Sequence, residues 1–228
     1  MMRQAASSRA TRTPVTASSP VAVGYGFTPQ PELALQLGCE HLIDSDGSLV
    51  ATVDHDQASS VAGVFIAGEA TGVGGADLSL AEGEVAGFAA ASSALGRAVD
   101  RTATRRARRR RESGRAFARA LHEAFPVPRA WLDWLTPETI VCRCEEVTAG
   151  RVGEAMTELG ATDARTVKLF ARPGMGLCQG RVCGYATACL VAGRAGRRVS
   201  VADVVGLAAR PIAQPVSLGM LAADDDPR

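Results

Sequence analysis

The sequence predicts an α+β protein: an α/β segment rich in glycine turns, followed by a small all-α unit of helix-turn-helix type that carries four cysteines. Three observations lead there. Apolar runs of strand length are punctuated by glycine in the first half, an arginine-rich stretch separates the halves, and helical apolar stripes flank two tight cysteine pairs in the last third. With 228 residues, 46% of them hydrophobic and 21% charged, the chain can bury a real core and is expected to form two modest domains. A formal net charge of +1 speaks against nucleic acid or an anionic membrane as the main partner, since both leave a strongly basic footprint. No run approaches about 18 consecutive apolar residues, so no transmembrane segment is expected. Residues 1–20 lack the apolar core of a secretory signal, and the paired cysteines suit a reducing compartment. A cytoplasmic address is the expectation.

Residues 1–20, rich in Ser, Thr, Ala and Arg without a hydrophobic period, read as a disordered leader. Within 21–96, Val21–Val23 predicts a short buried strand closed by Gly24-Tyr25-Gly26 and Pro29, and a helix follows over Pro31–Leu37. Leu42-Ile43 and Leu49–Val53 flank Asp46-Gly47, a strong hairpin signal. Val61–Ala67 predicts a continuous buried strand that runs into the glycine-rich stretch Gly68 to Gly75. A helix is expected from about Asp77 through Leu80, Val85 and Phe88. Residues 97–135 are basic and include the run Arg105–Arg111; without interleaved aromatic residues they read as a solvated helical connector rather than a nucleic-acid contact. Phe117, Leu121 and Phe125, four residues apart, give that connector one face to dock. Trp131, Trp134 and Leu135 read as apolar anchors of the next unit, 136–209, which is followed by a tail over 210–228.

That unit holds Cys142-Arg-Cys144 and Cys178-Gln-Gly-Arg-Val-Cys183. Four sulfurs in two pairs imply tetrahedral thiolate coordination, of zinc or of an iron–sulfur cluster. Structural zinc sites usually draw each pair from loops with two to four residues between cysteines. A Cys-x-Cys pair in an extended segment points both side chains the same way and leaves little slack to wrap a single ion, which favours two irons bridged by sulfide. Zinc, and cysteines that simply pack in a core, remain the alternatives. Both pairs abut helix starts: Thr148 is a good N-cap for a helix with the stripe Val152, Ala155, Met156 and Leu159 ending at Gly160, and a small-residue helix is expected from about Gly180 with Cys183 in its first turn. The glycines of Arg172-Pro-Gly-Met-Gly-Leu let backbone amides approach sulfur closely. Arg143, Arg172 and Arg181 are candidates for positive potential nearby, or plain surface arginines. Cys189 and Cys39 read as buried small hydrophobes.

Val141-Cys-Arg-Cys-Glu-Glu-Val-Thr together with Arg172-Pro-Gly-Met-Gly-Leu-Cys-Gln-Gly-Arg-Val-Cys-Gly resembles the ferredoxin module related to bacterioferritin-associated ferredoxin. The version it resembles is fused to the flavoprotein subunit of bacterial amino-acid dehydrogenases of the D-hydroxyproline dehydrogenase, opine oxidase and hydrogen cyanide synthase type. The stretch Arg210-Pro-Ile-Ala-Gln-Pro-Val-Ser-Leu-Gly-Met-Leu-Ala resembles that family's tail. Val23-Gly-Tyr-Gly-Phe-Thr-Pro is similar to its flavin domain, and Gly63-Val-Phe-Ile-Ala-Gly-Glu-Ala-Thr-Gly-Val-Gly-Gly-Ala resembles the second FAD fingerprint of two-dinucleotide-fold flavoproteins. The resemblance implies a partial FAD-binding segment followed by a 2Fe-2S domain, with Cys142, Cys144, Cys178 and Cys183 on the cluster and Gly68, Glu69, Gly72, Gly74 and Gly75 at the flavin. In such a turn an acidic side chain meets the ribityl hydroxyls while amides and a helix N-terminus face the flavin or its phosphates; Glu69 stands where Asp is more usual.

A full FAD domain also carries strand-GxGxxG-helix and an acid about twenty residues later, and neither is found between residues 21 and 228. The expectation is therefore a C-terminal piece of a FAD and 2Fe-2S oxidoreductase subunit that relays electrons from flavin through the cluster. It would work with a complementary flavoprotein half or other dehydrogenase subunits on an amino-acid or opine substrate. The alternative is a non-enzymatic 2Fe-2S carrier or scaffold with a flavin-domain remnant. No general base or nucleophile is identified, since His41, His55 and His122 sit in polar or connector contexts that read as surface.

Overall fold

The computed structural model describes residues 27–210 and Gly219. The leader, the strand at Val21–Val23 with its glycine turn, and the resemblance in the tail lie outside the described residues. Helix α1 (Glu32–Gln36) leads into an antiparallel hairpin of β1 (His41–Ile43) and β2 (Leu49–Ala51), with His41 opposite Ala51 and Ile43 opposite Leu49. Its turn forms as the Asp-Gly signal predicts: Gly47 takes φ +89°, its N–H donates to Asp44 O at 2.9 Å, and the Asp46 carboxylate accepts from the amide and hydroxyl of Ser48.

The strand expected over Val61–Ala67 does not form. Residues 61–63 turn, and the extended backbone beyond them holds one isolated bridge, Phe65 with Ala58, plus the bonds Ile66 N–H to Gln57 O and Ser59 N–H to Val64 O, both 2.9 Å. A buried strand needs a neighbour along its whole length. Among the described residues only the short stretch 57–59 lies alongside it.

The glycine-rich stretch opens as a 3-10 turn (Gly68–Thr71), and α2 (Ala76–Ala94) starts after Gly75, which sits at φ +87°. Helix α2 buries Leu78, Ala81, Val85 and Ala89 while Leu80 and Phe88 stay exposed. Helix α3 (Arg105–Ala124) lays one face along α2 and leaves most of its other residues in solvent. It does not dock through Phe117, Leu121 and Phe125, all of which are exposed. Its buried face is Ala107, Arg111 and Ala118 at helical period, and the two alanines together with Gly114 let the two helices approach. At Gly114 a Cβ would stand 3.1 Å from Leu78 Cδ1, so the approach has little room for any side chain.

Arginines on that same face reach carboxylates and carbonyls across the contact. Arg108 pairs with Asp56 and donates to His55 O, and Arg111 donates to His55 O and Gln57 Oε1. Arg115 grips the glycine turn, with Nε on Glu82 Oε1 at 2.8 Å, Nη1 on Gly72 O at 3.0 Å and Nη2 on Thr71 Oγ1 at 2.6 Å. Glu82 is 1% exposed, and its other oxygen accepts from Gly68 N and Thr71 Oγ1.

The last third contains the antiparallel pair β3 (Ile140–Cys142) and β4 (Val147–Thr148), then α4 (Ala149–Thr157), α5 (Ala164–Ala171), α6 (Gly184–Arg194) and α7 (Val201–Ala208). Side-chain caps set three of these helix starts: Thr148 accepts from Arg151 N, Asp163 from Thr166 N, and Ser200 with Asp203 forms a capping box. Val152, Val167, Val191, Val204 and Leu207 meet in the core. Of the expected anchors, Leu135 packs on this core, whereas Trp134 is 61% exposed and Leu132 takes its place, lying against Gly193. Leu159 is exposed as well, because α4 ends at Thr157 before that position can turn inward. Leu49, Ile43 and Leu35 from the first half enter the same core. Among the described residues no helix is long and apolar enough to cross a membrane.

Two stability measurements test this packing. Replacing Glu82 by Ala strands the Arg115 guanidinium and the Gly68 amide, and should cost about 3–5 kcal/mol in urea unfolding, against about 0.5 kcal/mol or less for the exposed neighbour Glu84→Ala. The Arg197 guanidinium holds the Asp203 carboxyl well below the usual carboxylate range, with help from Ser200. Because the folded-state value is depressed, this stabilisation is complete above the unfolded value of about 4 and is lost as pH falls through the folded value. Thermal melts should therefore show a shallower loss of stability between about pH 5 and pH 2 for Asp203→Asn than for the parent chain.

Candidate metal centre

The four paired cysteines converge from two loops. Cys142 ends β3 and is 1% exposed; Cys144, in the tight turn to β4, is exposed. The turn closes with Glu146 at φ +52°. On the other side, Arg172 ends α5 in the left-handed region at φ +67°, and the loop to α6 supplies Cys178 and Cys183. Cys183 immediately precedes α6 rather than lying in its first turn, as the sequence suggests. A start at Gly180 is excluded by the left-handed backbone of Gln179 and Gly180, φ +52° and +79°. All four are free thiols.

Their sulfurs stand in pairs. Cys144 Sγ lies 3.8 Å from Cys178 Sγ, and the buried Cys183 neighbours the buried Cys142. Among the described residues no three acidic, histidine or cysteine side chains gather closely enough to hold one ion. Gly174 N–H donates to Cys142 Sγ at 3.4 Å. Gly176 has no room for a side chain, since a Cβ there would overlap Cys144 Cβ, and Gly174 and Gly180 cross with Cα atoms close together.

The two sides of the corner differ in charge preference. Burial pushes the Cys183 thiol up to about 12, and the neighbouring Cys142 and Cys178 add to the shift. Burial also raises Cys178, but hydrogen bonds from the backbone of Val182, Gly180 and Arg181 and from the Cys144 thiol outweigh it, so that thiol is net lowered. Of these two, Cys178 is the better placed to become a thiolate.

The remaining sequence candidates fall as follows. Glu69 Oε1 accepts from Gly74 N at 3.2 Å and Gly75 N at 2.8 Å, so one carboxylate oxygen is directed into the glycine turn at the start of α2. Gly68, Gly72 and Gly75 all take positive φ, and the space beside Gly75 is open. Arg172 pairs with Glu145 at 3.0 Å and Arg181 with Glu32 at 3.1 Å, while Arg143 is exposed. Cys39 is buried, but Cys189 is only half-buried, beside Tyr185, whose hydroxyl is raised by burial and by that thiol. His41 is not a surface residue: it is half-buried, Nδ1 meets Cys39 O at 2.7 Å, and burial lowers it. His122 is half-buried too, and His55 is exposed.

Residues 140–192 match the family described as the BFD-like [2Fe-2S] binding domain. This part of the chain is a BFD-like [2Fe-2S] domain. It spans β3 through most of α6, and so contains both cysteine loops. Homologues extend the likeness beyond it. An opine oxidase subunit from Rhizobium meliloti (strain 1021) is 39% identical over 208 residues, 90% of this chain and 44% of that protein. Hydrogen cyanide synthase subunit HcnB from Pseudomonas aeruginosa is 34% identical over 175 residues, 75% of this chain and 37% of that protein. The chain therefore spans less than half the length of the curated relatives it matches. L-proline dehydrogenase from P. horikoshii has the same fold over 85% of this chain and 37% of its own, with a TM-score of 0.62 at 23% identity.

Alkylation of the metal-free protein tests the asymmetry of the BFD-like domain. Under limiting iodoacetamide near neutral pH, mass mapping should find Cys178 and Cys144 modified at least about tenfold faster than Cys142 and Cys183. Equal rates at all four would contradict the burial described here.

Proposed function

We propose that the chain is part of a FAD and 2Fe-2S oxidoreductase subunit of the amino-acid or opine dehydrogenase type, and that its BFD-like domain relays electrons away from the flavin. The observation that carries this is the paired convergence of Cys142 with Cys183 and of Cys144 with Cys178, in a domain of 2Fe-2S family, on a chain whose homologues include a component of opine oxidase.

The residues present fit a cluster. Four thiols would supply two ligands to each of two irons, with bridging sulfide completing each tetrahedron, and the paired arrangement suits two metals better than one. In this reading Cys142, Cys144, Cys178 and Cys183 hold the irons. The Gly174 amide donates to a ligand sulfur, and such donors favour the more negative, reduced state. Cys142 and Cys183 close the inner side to water, and Cys144 presents the outer side to solvent, where an electron can leave.

In this reading the FAD site rests on the glycine turn: the open side of Gly75 would let backbone approach the ligand, Gly68, Gly72 and Gly74 shape the turn, and the N-terminal end of α2 would favour an anionic or electron-rich group. Glu69 fixes the turn through Gly74 and Gly75 and would meet the flavin's ribityl chain. When bound, the flavin supplies hydride acceptance from a C–N bond. The rest of its site would come from a complementary flavoprotein half or other dehydrogenase subunits, acting on an amino-acid or opine substrate. The homologues' names are those of subunits, which agrees with a heteromeric enzyme, and cysteines paired for metal rather than in a disulfide framework agree with a cytoplasmic location.

Anaerobic purification tests the cluster: near two irons and two acid-labile sulfides per chain are expected, with an electron paramagnetic resonance signal after dithionite reduction. Cys178→Ser should abolish or strongly alter the visible bands. A colourless protein with about one zinc per chain would refute the reading. Co-expression with the complementary flavoprotein half should give bound flavin that bleaches on adding substrate; cluster bands without flavin would leave a carrier only.

A further inference from the structure

Glu32 belongs to α1, far in sequence from the cysteine loops, yet it is 5% exposed and sits against the second of them. Its Oε1 receives Arg210 Nη2 at 2.7 Å and Nε at 3.0 Å, and Arg181 Nε at 3.1 Å. Arg181 stands between Cys178 and Cys183 and donates from Nη1 to Cys178 O at 3.3 Å. Arg210 is fixed by Nη1 on Leu207 O, and its own carbonyl accepts from Gln36 of α1. A carboxylate of the first half is thus held between a guanidinium of the cysteine loop and one that follows α7.

Holding charge in such a seam is costly, and an apolar contact would fasten the two halves as well. What the ion pair adds is a field. Arg172, the other paired cation near the cysteines, has a side chain 62% exposed and bound to Glu145, so solvent and salt screen it. The Arg181 side chain is 20% exposed and Glu32 is nearly sealed, so their charges act on the loop through a poorer dielectric. Reduction of a tetrathiolate cluster adds one negative charge and makes or breaks no ligand bond, so its equilibrium responds to fixed charges beside it.

We propose that Glu32 and Arg181 form an interdomain charge pair that sets the reduction potential of the cluster, Arg181 favouring the reduced state and Glu32 offsetting it. This inference rests on the cluster reading above and makes both side chains positioning and tuning residues rather than ligands.

The test is a dithionite-poised redox titration of the anaerobically purified full chain, followed by electron paramagnetic resonance at fixed pH. Arg181→Gln should make the midpoint more negative and Glu32→Gln more positive, each by about tenfold in the reduction equilibrium constant, or about 59 mV for one electron. Arg181→Lys should stay close to the parent value. Should Glu32→Gln fail to accumulate, Arg181→Gln against Arg181→Lys decides alone, because Arg181 is partly exposed and Glu32 keeps its pair with Arg210 when Arg181 is replaced. A midpoint unmoved in Arg181→Gln with its signal intact overturns the proposal and leaves the cluster reading standing. Shifts of the same sign in Arg181→Gln and Glu32→Gln also overturn it, since they would report a loosened loop instead of a field. A parent chain without iron or labile sulfide overturns both.

Discussion

Sulfurs that bind metal must give up their protons, and four thiolates held within a few ångströms of one another repel. The corner where the two cysteine loops meet is shaped by that conflict. Cys183 resists ionisation because it is buried beside Cys142 and Cys178, whereas backbone groups of the 178–183 loop favour the Cys178 thiolate. Supplying those groups requires backbone to curl around sulfur, hence the positive φ at Gln179 and Gly180 and the absence of room at Gly176. The start of α6 at Gly184, the left-handed end of α5 at Arg172 and the tight turn between β3 and β4 all follow from bringing backbone to the sulfurs.

A second conflict organises the first half. Helix α3 leaves its Phe117, Leu121 and Phe125 face in solvent, docks instead through Ala107, Gly114 and Ala118, and lets its arginines span the contact. Arg115 and the sealed Glu82 then become the internal brace of the glycine turn, tying Gly68, Thr71 and Gly72 to both helices. The turn's geometry therefore depends on a helix that contributes no residue to the turn itself.

The cysteine corner was legible in the sequence because spacing and flanking glycines are local signals, and the hairpin at Asp46-Gly47 and the cap at Thr148 were legible for the same reason. What was not legible depended on partners distant in sequence. The apolar run at Val61–Ala67 reads as a strand only if a neighbour pairs with it, and local composition carries no information about the neighbour. Phe117, Leu121 and Phe125 form the more hydrophobic face of α3, yet Ala107, Arg111 and Ala118 face inward because their contact surface matches α2. One signal was available: Glu82 shares the helical phase of Leu78, Val85 and Ala89, and a charge in an apolar stripe implies a buried partner. Glu32 offered no comparable cue, since its partners Arg181 and Arg210 lie in the last third of the chain.

Those long-range contacts also explain why the cysteine-bearing unit is not packed as an independent body. Leu35 and Ala34 are neighbours on α1, but Leu35 packs on the core of the BFD-like domain and Ala34 belongs to a cluster with Cys39 and Ala51. Leu49 and Ala51 divide β2 between the same two cores. Helix α1 and β2 therefore act as a keyed joint whose rotation would uncover apolar surface on both sides, with the Glu32 ion pairs adding direction to the contact. In the proposed relay, electron transfer from a flavin at the glycine turn to the cysteine corner would need a separation that does not drift from one turnover to the next. A joint with cores on either side and a buried carboxylate at its seam meets that need without drawing on any ligand residue.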